Sequence, residues 1–171
     1  RPLRDLRISV TDQCNFRCRY CMPKEKFGSR HKFLAHTELL TFEEILKVAK
    51  AFSALGVEKI RLTGGEPLLR RHIEELVAKL KAIETPTGNP LEVAMTTNAA
   101  ILARKAQALK AAGLDRVTVS LDALTEDLFQ AINDVGFPAY EVLTGIRAAC
   151  EAGLPVKVNT VVKRGMNEGE I

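Results

Sequence analysis

Cys14, Cys18 and Cys21 stand together in Cys14-Asn-Phe-Arg-Cys18-Arg-Tyr-Cys21, directly after a short strand-like run, and the 171-residue chain holds one further cysteine, Cys150. That spacing is the signature of an iron–sulfur cluster held by three local thiolates. A four-iron cubane ordinarily takes four cysteine ligands, so three leave one iron with a coordination position to offer, and chemistry can happen there. Structural zinc held by three thiolates and a histidine is the plainer alternative. The downstream histidines, His31 and His36, match none of the usual short ligand spacings from Cys21. Disulfides are poor arithmetic for three crowded cysteines and a distant fourth. Within the motif Phe16 reads as packing, while Tyr20 reads as either a ligand contact or packing against strand ends. Cys150, beside Ala148, Ala149 and Ala152, reads as a core residue.

A second candidate is Gly64-Gly65-Glu66-Pro67. Glycines let the backbone approach a ligand closely, and the Glu66 carboxylate could accept from an ammonium group. Alone, the same tetrapeptide fits a tight strand-to-helix turn with proline at the first helical position.

These residues need elements to position them, and strand-like and helix-like segments alternate along the chain. Strands are predicted over 6–11, 57–63, 91–97, 116–121 and 156–162, and helices over 42–55, 70–83, 102–112 and 140–152. For the first helix, Thr41 with Glu44 makes a capping box, Phe42, Ile45, Leu46, Ala49, Phe52 and Leu55 form one stripe, and Gly56 ends it. Arg70 and Arg71 fall in the first turn of the next helix, solvated or bound to neighbouring loops. Residues 24–37 read as a charged loop, mobile or acting as a flap. Residues 167–171 read as the start of another helix.

Repeated strand–helix units imply parallel strands. A parallel sheet covered on both faces reads as continuous apolar runs, whereas these strands alternate. Ile8/Val10, Ile60/Leu62, Val93/Met95, Val117/Val119 and Val156/Val158 share one parity. Arg7, Lys59, Arg61, Thr96, Asn98, Thr118, Ser120, Asp122, Lys157 and Asn159 share the other. Alternation puts each set on one face, so helices cover the apolar face and the polar face lines a wet cavity. The fold class expected is α/β, an incomplete TIM-like (β/α) barrel of about five parallel strands, with its active site at the carboxyl ends of the strands. Cys14, Gly64, Asn98 and Asp122 all fall there. Converging Arg7, Lys59, Arg61 and Lys157 call for a compensating anion, and guanidinium groups grip phosphate oxygens in pairs. The alternative is that these cations pair with Asp5, Glu92 or Asp122.

Composition sets outer bounds. The chain is 46% hydrophobic and 27% charged with a net charge of +4, which fits a globular domain with a modest anion to hold. No apolar run is long enough to span a bilayer, no secretory leader is visible, and no basic block suits a nucleic acid polymer. The expectation is a cytoplasmic protein with neither membrane nor nucleic acid as partner.

The cysteine motif and Gly64-Gly65-Glu66-Pro67 together resemble the radical S-adenosylmethionine superfamily. With Asp5-Leu-Arg-Ile-Ser-Val-Thr-Asp12, Cys21-Met-Pro, Lys59-Ile-Arg-Leu-Thr-Gly-Gly-Glu-Pro-Leu68, Thr96-Thr-Asn98, Val119-Ser-Leu-Asp122 and Val156-Lys-Val-Asn-Thr-Val-Val162, the chain is similar to the GTP 3',8-cyclase family of molybdenum cofactor biosynthesis. The resemblance implies a lyase that opens its chemistry with S-adenosylmethionine bound to the free iron of a [4Fe-4S] cluster on Cys14, Cys18 and Cys21. It places Tyr20, Gly65 and Ser120, with Gly64, Glu66 and Asn98, on the S-adenosylmethionine side. It places Arg7, Arg61, Thr96 and Lys157, with Lys59, on GTP. No catalytic side chain is implied beyond the cluster and S-adenosylmethionine.

Implied partners are GTP, an external electron donor, a downstream molybdopterin pathway enzyme and, compatibly, a second copy in a homodimer. Two departures stand out. Ala99 occupies a position where the family usually has glycine. The family also uses a second [4Fe-4S] cluster in its C-terminal part, and no second cysteine set occurs here, so residues 1–171 read as a partial barrel domain without that second-cluster domain, not expected to complete cyclisation alone. The alternatives are another radical S-adenosylmethionine reaction on an anionic substrate and a non-catalytic three-cysteine metal-binding module.

Overall fold

Five parallel strands follow one another in chain order, each hydrogen-bonded to the next, in a computed structural model that describes residues 3–170. They are β1 (Asp5–Ser9), β2 (Lys59–Thr63), β3 (Glu92–Thr97), β4 (Arg116–Ser120) and β5 (Val156–Asn159). Between them run α1 (Lys24–Phe27), α2 (Phe42–Ala54), α3 (Ile73–Lys81), α4 (Leu102–Ala111), α5 (Glu126–Asn133) and α6 (Ala139–Glu151). The order β1-β2-β3-β4-β5 leaves β1 and β5 as edges of an unclosed sheet, the incomplete barrel that alternation predicts.

Strand parity decides which face the helices cover. Ile60, Leu62, Val93, Met95, Val117 and Val119 are fully buried under α2, α3, α4 and α6, whose Ile45, Leu76, Leu80, Leu102, Leu109 and Val142 pack among them. Burying one such side chain stabilises the fold by roughly 1.5–3 kcal/mol, which is why the sheet cannot slip by one residue. At the β5 edge the pattern fails: Val158 is 47% exposed and the strand stops at Asn159 rather than continuing to Val162. On that side Val158 shares an open hollow with Leu143 and Ile146 of α6, which cover it only in part.

Helix α2 has its capping box as expected. Thr41 Oγ1 accepts from the Glu44 amide at 3.2 Å and Glu44 returns a carboxylate to the Thr41 amide at 2.7 Å. Its buried face is Ile45, Ala49 and Ser53, while Leu55, at the C-cap, is 71% exposed and lies off the stripe. Helix α3 begins at Ile73 rather than at 70 because a 3-10 turn over Pro67–Leu69 leads into extended Arg70 and left-handed His72. Arg70 is therefore outside the helix and buried, donating to the Leu40 carbonyl at 2.8 Å and lying over the Phe42 ring. Cys150 is exposed on α6, contrary to its expected core place, since Val142, Gly145 and Ala149 take the inward positions. Helix α5 escaped the periodicity because it is 8 residues long. A 3-10 turn covers Glu168–Glu170; Ile171, part of the expected final helix, lies outside the described residues.

Ala99 sits just past β3 with a left-handed φ of 60°. Its amide is held by Thr97 Oγ1 at 2.9 Å, and its neighbour across the gap is Gly145, where a Cβ would press on the Ala99 carbonyl. A left-handed L-residue costs roughly 1–2 kcal/mol, offset here by one buried methyl worth about 0.8 kcal/mol. Ala99→Gly should therefore leave stability unchanged or raise it by up to about 1 kcal/mol; a urea-melt midpoint that falls would show that this position gains nothing from glycine.

Candidate functional site

The cysteine loop is seated by glycines. After β1 the chain runs over the end of β2, where the Gly65 amide donates to the Thr11 carbonyl at 2.9 Å and the Glu66 amide to the Gln13 carbonyl at 2.8 Å. A Cβ on Gly64 would overlap the Thr11 carbonyl oxygen, and one on Gly65 would overlap that of Gln13. Gly64 also has φ +146°, a region side chains avoid. The two glycines are thus required by the approach of the loop's own backbone. Among the described residues, neither of their carbonyls accepts a hydrogen bond, so both remain open as acceptors at the barrel mouth.

Glu66 differs from its expected role as an open acceptor. It is 1% exposed. Its Oε1 accepts from the Leu68 amide at 3.0 Å and from Thr97 Oγ1 at 2.7 Å, while Oε2 accepts from the Asn98 amide at 2.7 Å. The carboxylate ties the end of β2 to the end of β3, and burial raises its pKa above the ordinary value despite these donors.

Arg17, not singled out from sequence, knots the cysteine loop. Its guanidinium donates to the carbonyls of Phe27, Cys14 and Phe16, each at 2.7 Å, and lies over the Phe33 ring. Its amide donates to Asn133. Asp12 accepts from the Leu34 amide at 2.8 Å. Segment 24–37 is consequently tied down at several points, not a free flap. Phe16 is buried between Phe129 and Phe137, as expected of packing.

The thiols sit in a setting that suits a cluster. Cys14 Sγ accepts from the Phe16 amide at 3.4 Å and from Asn98 Nδ2 at 3.8 Å, the kind of donor that stabilises ligated sulfur and tunes its iron. The Cys21 and Met22 amides close a turn on the Cys18 carbonyl. Cys18 donates to Cys21, which lowers Cys21 to about 7 and raises Cys18; burial raises Cys14. Among the described residues no three His, Cys, Asp or Glu side chains converge on a single ion.

Tyr20 donates to Asp122 Oδ2 at 2.7 Å, clasping the loop to the end of β4. Burial, then this carboxylate, raises the Tyr20 pKa. Asp122 Oδ1 also accepts from the Val161 amide at 2.9 Å. Asp122 is therefore a buried tether rather than a partner for the basic residues.

Deeper in the barrel, register aligns the inward side chains in rows. Arg7 lies beside Arg61, Arg61 beside Ala94 and Ala94 beside Arg116, while Thr96, Thr118 and Lys157 share the next row. Arg61 Nη1 donates to Thr96 Oγ1 at 3.2 Å and Thr118 Oγ1 at 3.0 Å. Neither Arg7 nor Arg61 has a carboxylate within 4.0 Å among the described residues. Burial, followed by the charges of Arg116 and Arg7, lowers the Arg61 pKa. Lys59 does find a carboxylate, its Nζ lying 2.7 Å from Glu92 Oε1, so its charge is already answered. Ser120 and Lys157 face the same cavity by parity, Lys157 exposed.

The family model described as "Radical SAM superfamily" matches residues 8–171, and the chain belongs to that superfamily. It is 55% identical over its whole length to GTP 3',8-cyclase of Acidothermus cellulolyticus and 51% to that of Staphylococcus haemolyticus, spanning about half of each relative, 46% and 49%. Solved structures agree in fold at low identity. SuiB of Streptococcus suis bound to S-adenosylmethionine matches with a TM-score of 0.75 at 18% identity over 95% of this chain and 35% of that one. The anSMEcpe structure with bound AdoMet matches with a TM-score of 0.73 at 17% identity, covering 94% and 45%. An iron–sulfur cluster and S-adenosylmethionine are the cofactors of this class, and the three-thiol loop with its sulfur-directed donors fits the first of them. No described helix is long and apolar enough to cross a membrane.

Two outcomes test the seating of the loop. Gly65→Ala should lower unfolding free energy by about 3 kcal/mol or more, whereas Gly169→Ala, in open space, should stay within about 0.5 kcal/mol in the same denaturant series. Glu66→Gln should cost about 1–3 kcal/mol by giving buried amides a wrong partner. Because burial raises the Glu66 pKa in the fold, the proton is held more tightly there than in the unfolded chain, so this contribution is complete below the ordinary carboxylate value of 4.5 and is lost as pH rises through the folded pKa. The parent's advantage over Glu66→Gln should be largest below that pH and decline above it; parallel curves would contradict the burial assignment.

Proposed function

We propose that this chain carries the cluster-binding and S-adenosylmethionine-binding part of a GTP 3',8-cyclase, the lyase that converts GTP to 3',8-cyclo-7,8-dihydroguanosine triphosphate in molybdenum cofactor biosynthesis. The observation that carries the reading is the pair of inward guanidiniums, Arg7 and Arg61, without a carboxylate within 4.0 Å among the described residues, in a chain 55% identical to a relative of that name.

In this reading Cys14, Cys18 and Cys21 hold the cluster. Gly64 and Gly65 offer open carbonyls to the methionyl ammonium, with Tyr20, Asn98 and Ser120 completing the cofactor side. The bound pair supplies one-electron reductive cleavage of S-adenosylmethionine and hydrogen abstraction from the substrate ribose. Arg61, held by Thr96 and Thr118, and Arg7 beside it grip the triphosphate, and Lys157 adds charge on the neighbouring row. From Arg61 to Gly65 the strand climbs four residues, about 13 Å at strand rise, so a phosphate tail at the arginines directs the nucleoside toward the mouth. Glu66, Asp122 and Arg17 act through position alone. The reading also calls for a second cluster outside residues 1–171 to hold the guanine base, an external one-electron donor and a downstream molybdopterin enzyme.

Anaerobic reconstitution should load about four irons and four sulfides, and dithionite with S-adenosylmethionine should then yield 5'-deoxyadenosine. Cys18→Ala should abolish that cleavage; retained cleavage would remove the ligand assignment. GTP should bind more tightly than guanosine, with ATP close to GTP because the base is read outside residues 1–171, and Arg61→Ala should weaken GTP about tenfold or more. Equal affinity for GTP and guanosine would dismiss the triphosphate site.

A further inference from the structure

Three arginines share one inward row of the sheet, and Arg116 is the one that no substrate assignment includes. Register places it next to Ala94, whose short side chain separates it from Arg61. Its Nε is buried without a hydrogen-bond partner, and its Nη2 lies 3.5 Å from Glu92 Oε1. The same oxygen takes Lys59 Nζ at 2.7 Å. Charge-assisted N–H···O bonds run about 2.7–2.9 Å, so Glu92 satisfies Lys59 and answers Arg116 only in part. The neighbouring charge of Arg116 is also felt at Arg61, ahead of that of Arg7.

Position along the row separates the three. Arg7 and Arg61 are on adjacent strands, whereas Arg116 is two strands beyond Arg61, about 10 Å away at sheet spacing. A short anion satisfies the first pair; an anion that also reaches Arg116 must be extended.

We propose that Arg116 is a length-reading anion ligand of this row, with Glu92 as the carboxylate that holds it in reserve until the far end of a polyphosphate takes its place. The proposal rests on the triphosphate reading above and adds to it the residue that distinguishes a triphosphate from a shorter chain. Occupancy of the row would leave Glu92 to Lys59 alone.

Calorimetric titration of the anaerobic protein with inorganic tripolyphosphate and with pyrophosphate separates the possibilities. Arg116→Gln should weaken tripolyphosphate binding about tenfold or more while changing pyrophosphate by less than about threefold. Glu92→Gln should bind tripolyphosphate as tightly as the parent or tighter, since it removes the competing carboxylate. Equal losses for both anions in Arg116→Gln, or a loss in Glu92→Gln matching that of Arg116→Gln, would overturn the proposal, because Arg116 would then serve the sheet through Glu92. Arg61→Ala distinguishes the two levels: a loss there with a silent Arg116→Gln refutes the length reading alone, and silence in both refutes the triphosphate reading with it.

Discussion

The site depends on one close approach of backbone to backbone. The chain that leaves β1 passes so near the end of β2 that only glycine fits at 64 and 65, and two amide hydrogen bonds lock the crossing. Everything downstream inherits this geometry. The loop that follows places Cys14 against Asn98, Arg17 closes it on Cys14 and Phe27, and Tyr20 reaches across to Asp122. Beneath it Glu66 fastens β2 to β3 through a buried carboxylate. A carboxyl group with 1% exposure is costly to bury, and three donors from Leu68, Thr97 and Asn98 offset part of that cost while burial still raises its pKa. The rigid part of the mouth is therefore polar and internal, while the groups free to meet a ligand are backbone carbonyls and thiols.

Much of this was legible in the residues. Period-two alternation in β1 and β2 identified the inward face, and the same parity carried Arg7 and Arg61 onto neighbouring positions before any contact was known. The cysteine spacing and the Gly-Gly step named the loop and its seat. Three things were not legible, each for a physical reason. Glu66 looked like an open acceptor because its burial is made by Thr97 and Asn98, some thirty residues away in sequence, and side-chain direction at a turn has no periodicity to read. Arg17 looked like an ordinary polar residue, since a guanidinium that caps carbonyls leaves no spacing pattern, and for Asp122 parity gave the place at the barrel mouth but not the partner, Tyr20, about a hundred residues away in sequence. Cys150 reads as inward from its alanine neighbours, but helical phase puts it out, and Leu55 continues the α2 stripe by spacing, but the helix ends at Ala54 and the C-cap conformation turns Leu55 to solvent.

The electrostatics of the barrel divide along its axis. At the lower end Lys59 and Glu92 neutralise one another, so that a carboxylate closes that end of the cavity. One step up, Arg7, Arg61 and Arg116 bring three cations onto a row in which, among the described residues, only Arg116 reaches a carboxylate, Glu92 at 3.5 Å, and the Arg61 pKa is lowered. Hydroxyls follow at Thr96 and Thr118, which hold Arg61 without adding charge. At the top, the thiols meet amide donors rather than side-chain cations. A ligand that fits this order is anionic at one end and neutral at the other.

That polarity also explains why the tethers at the mouth are so numerous. Four guanidiniums or ammoniums on one face would repel if the sheet were free to open, and the edge at β5, with Val158 half exposed, provides little apolar cover against it. Cross-strand ties at the carboxyl ends, Glu66 between β2 and β3 and Asp122 from β4 to the segment after β5, hold the strands together where the sulfurs must keep their spacing. Loss of a tether would act first on the separation of Cys14 from Cys18 and Cys21, and only then on the arginine row, because the ties lie at the same level as the loop. On the proposed reading, cluster binding and anion binding are therefore mechanically separable, although one sheet would carry both.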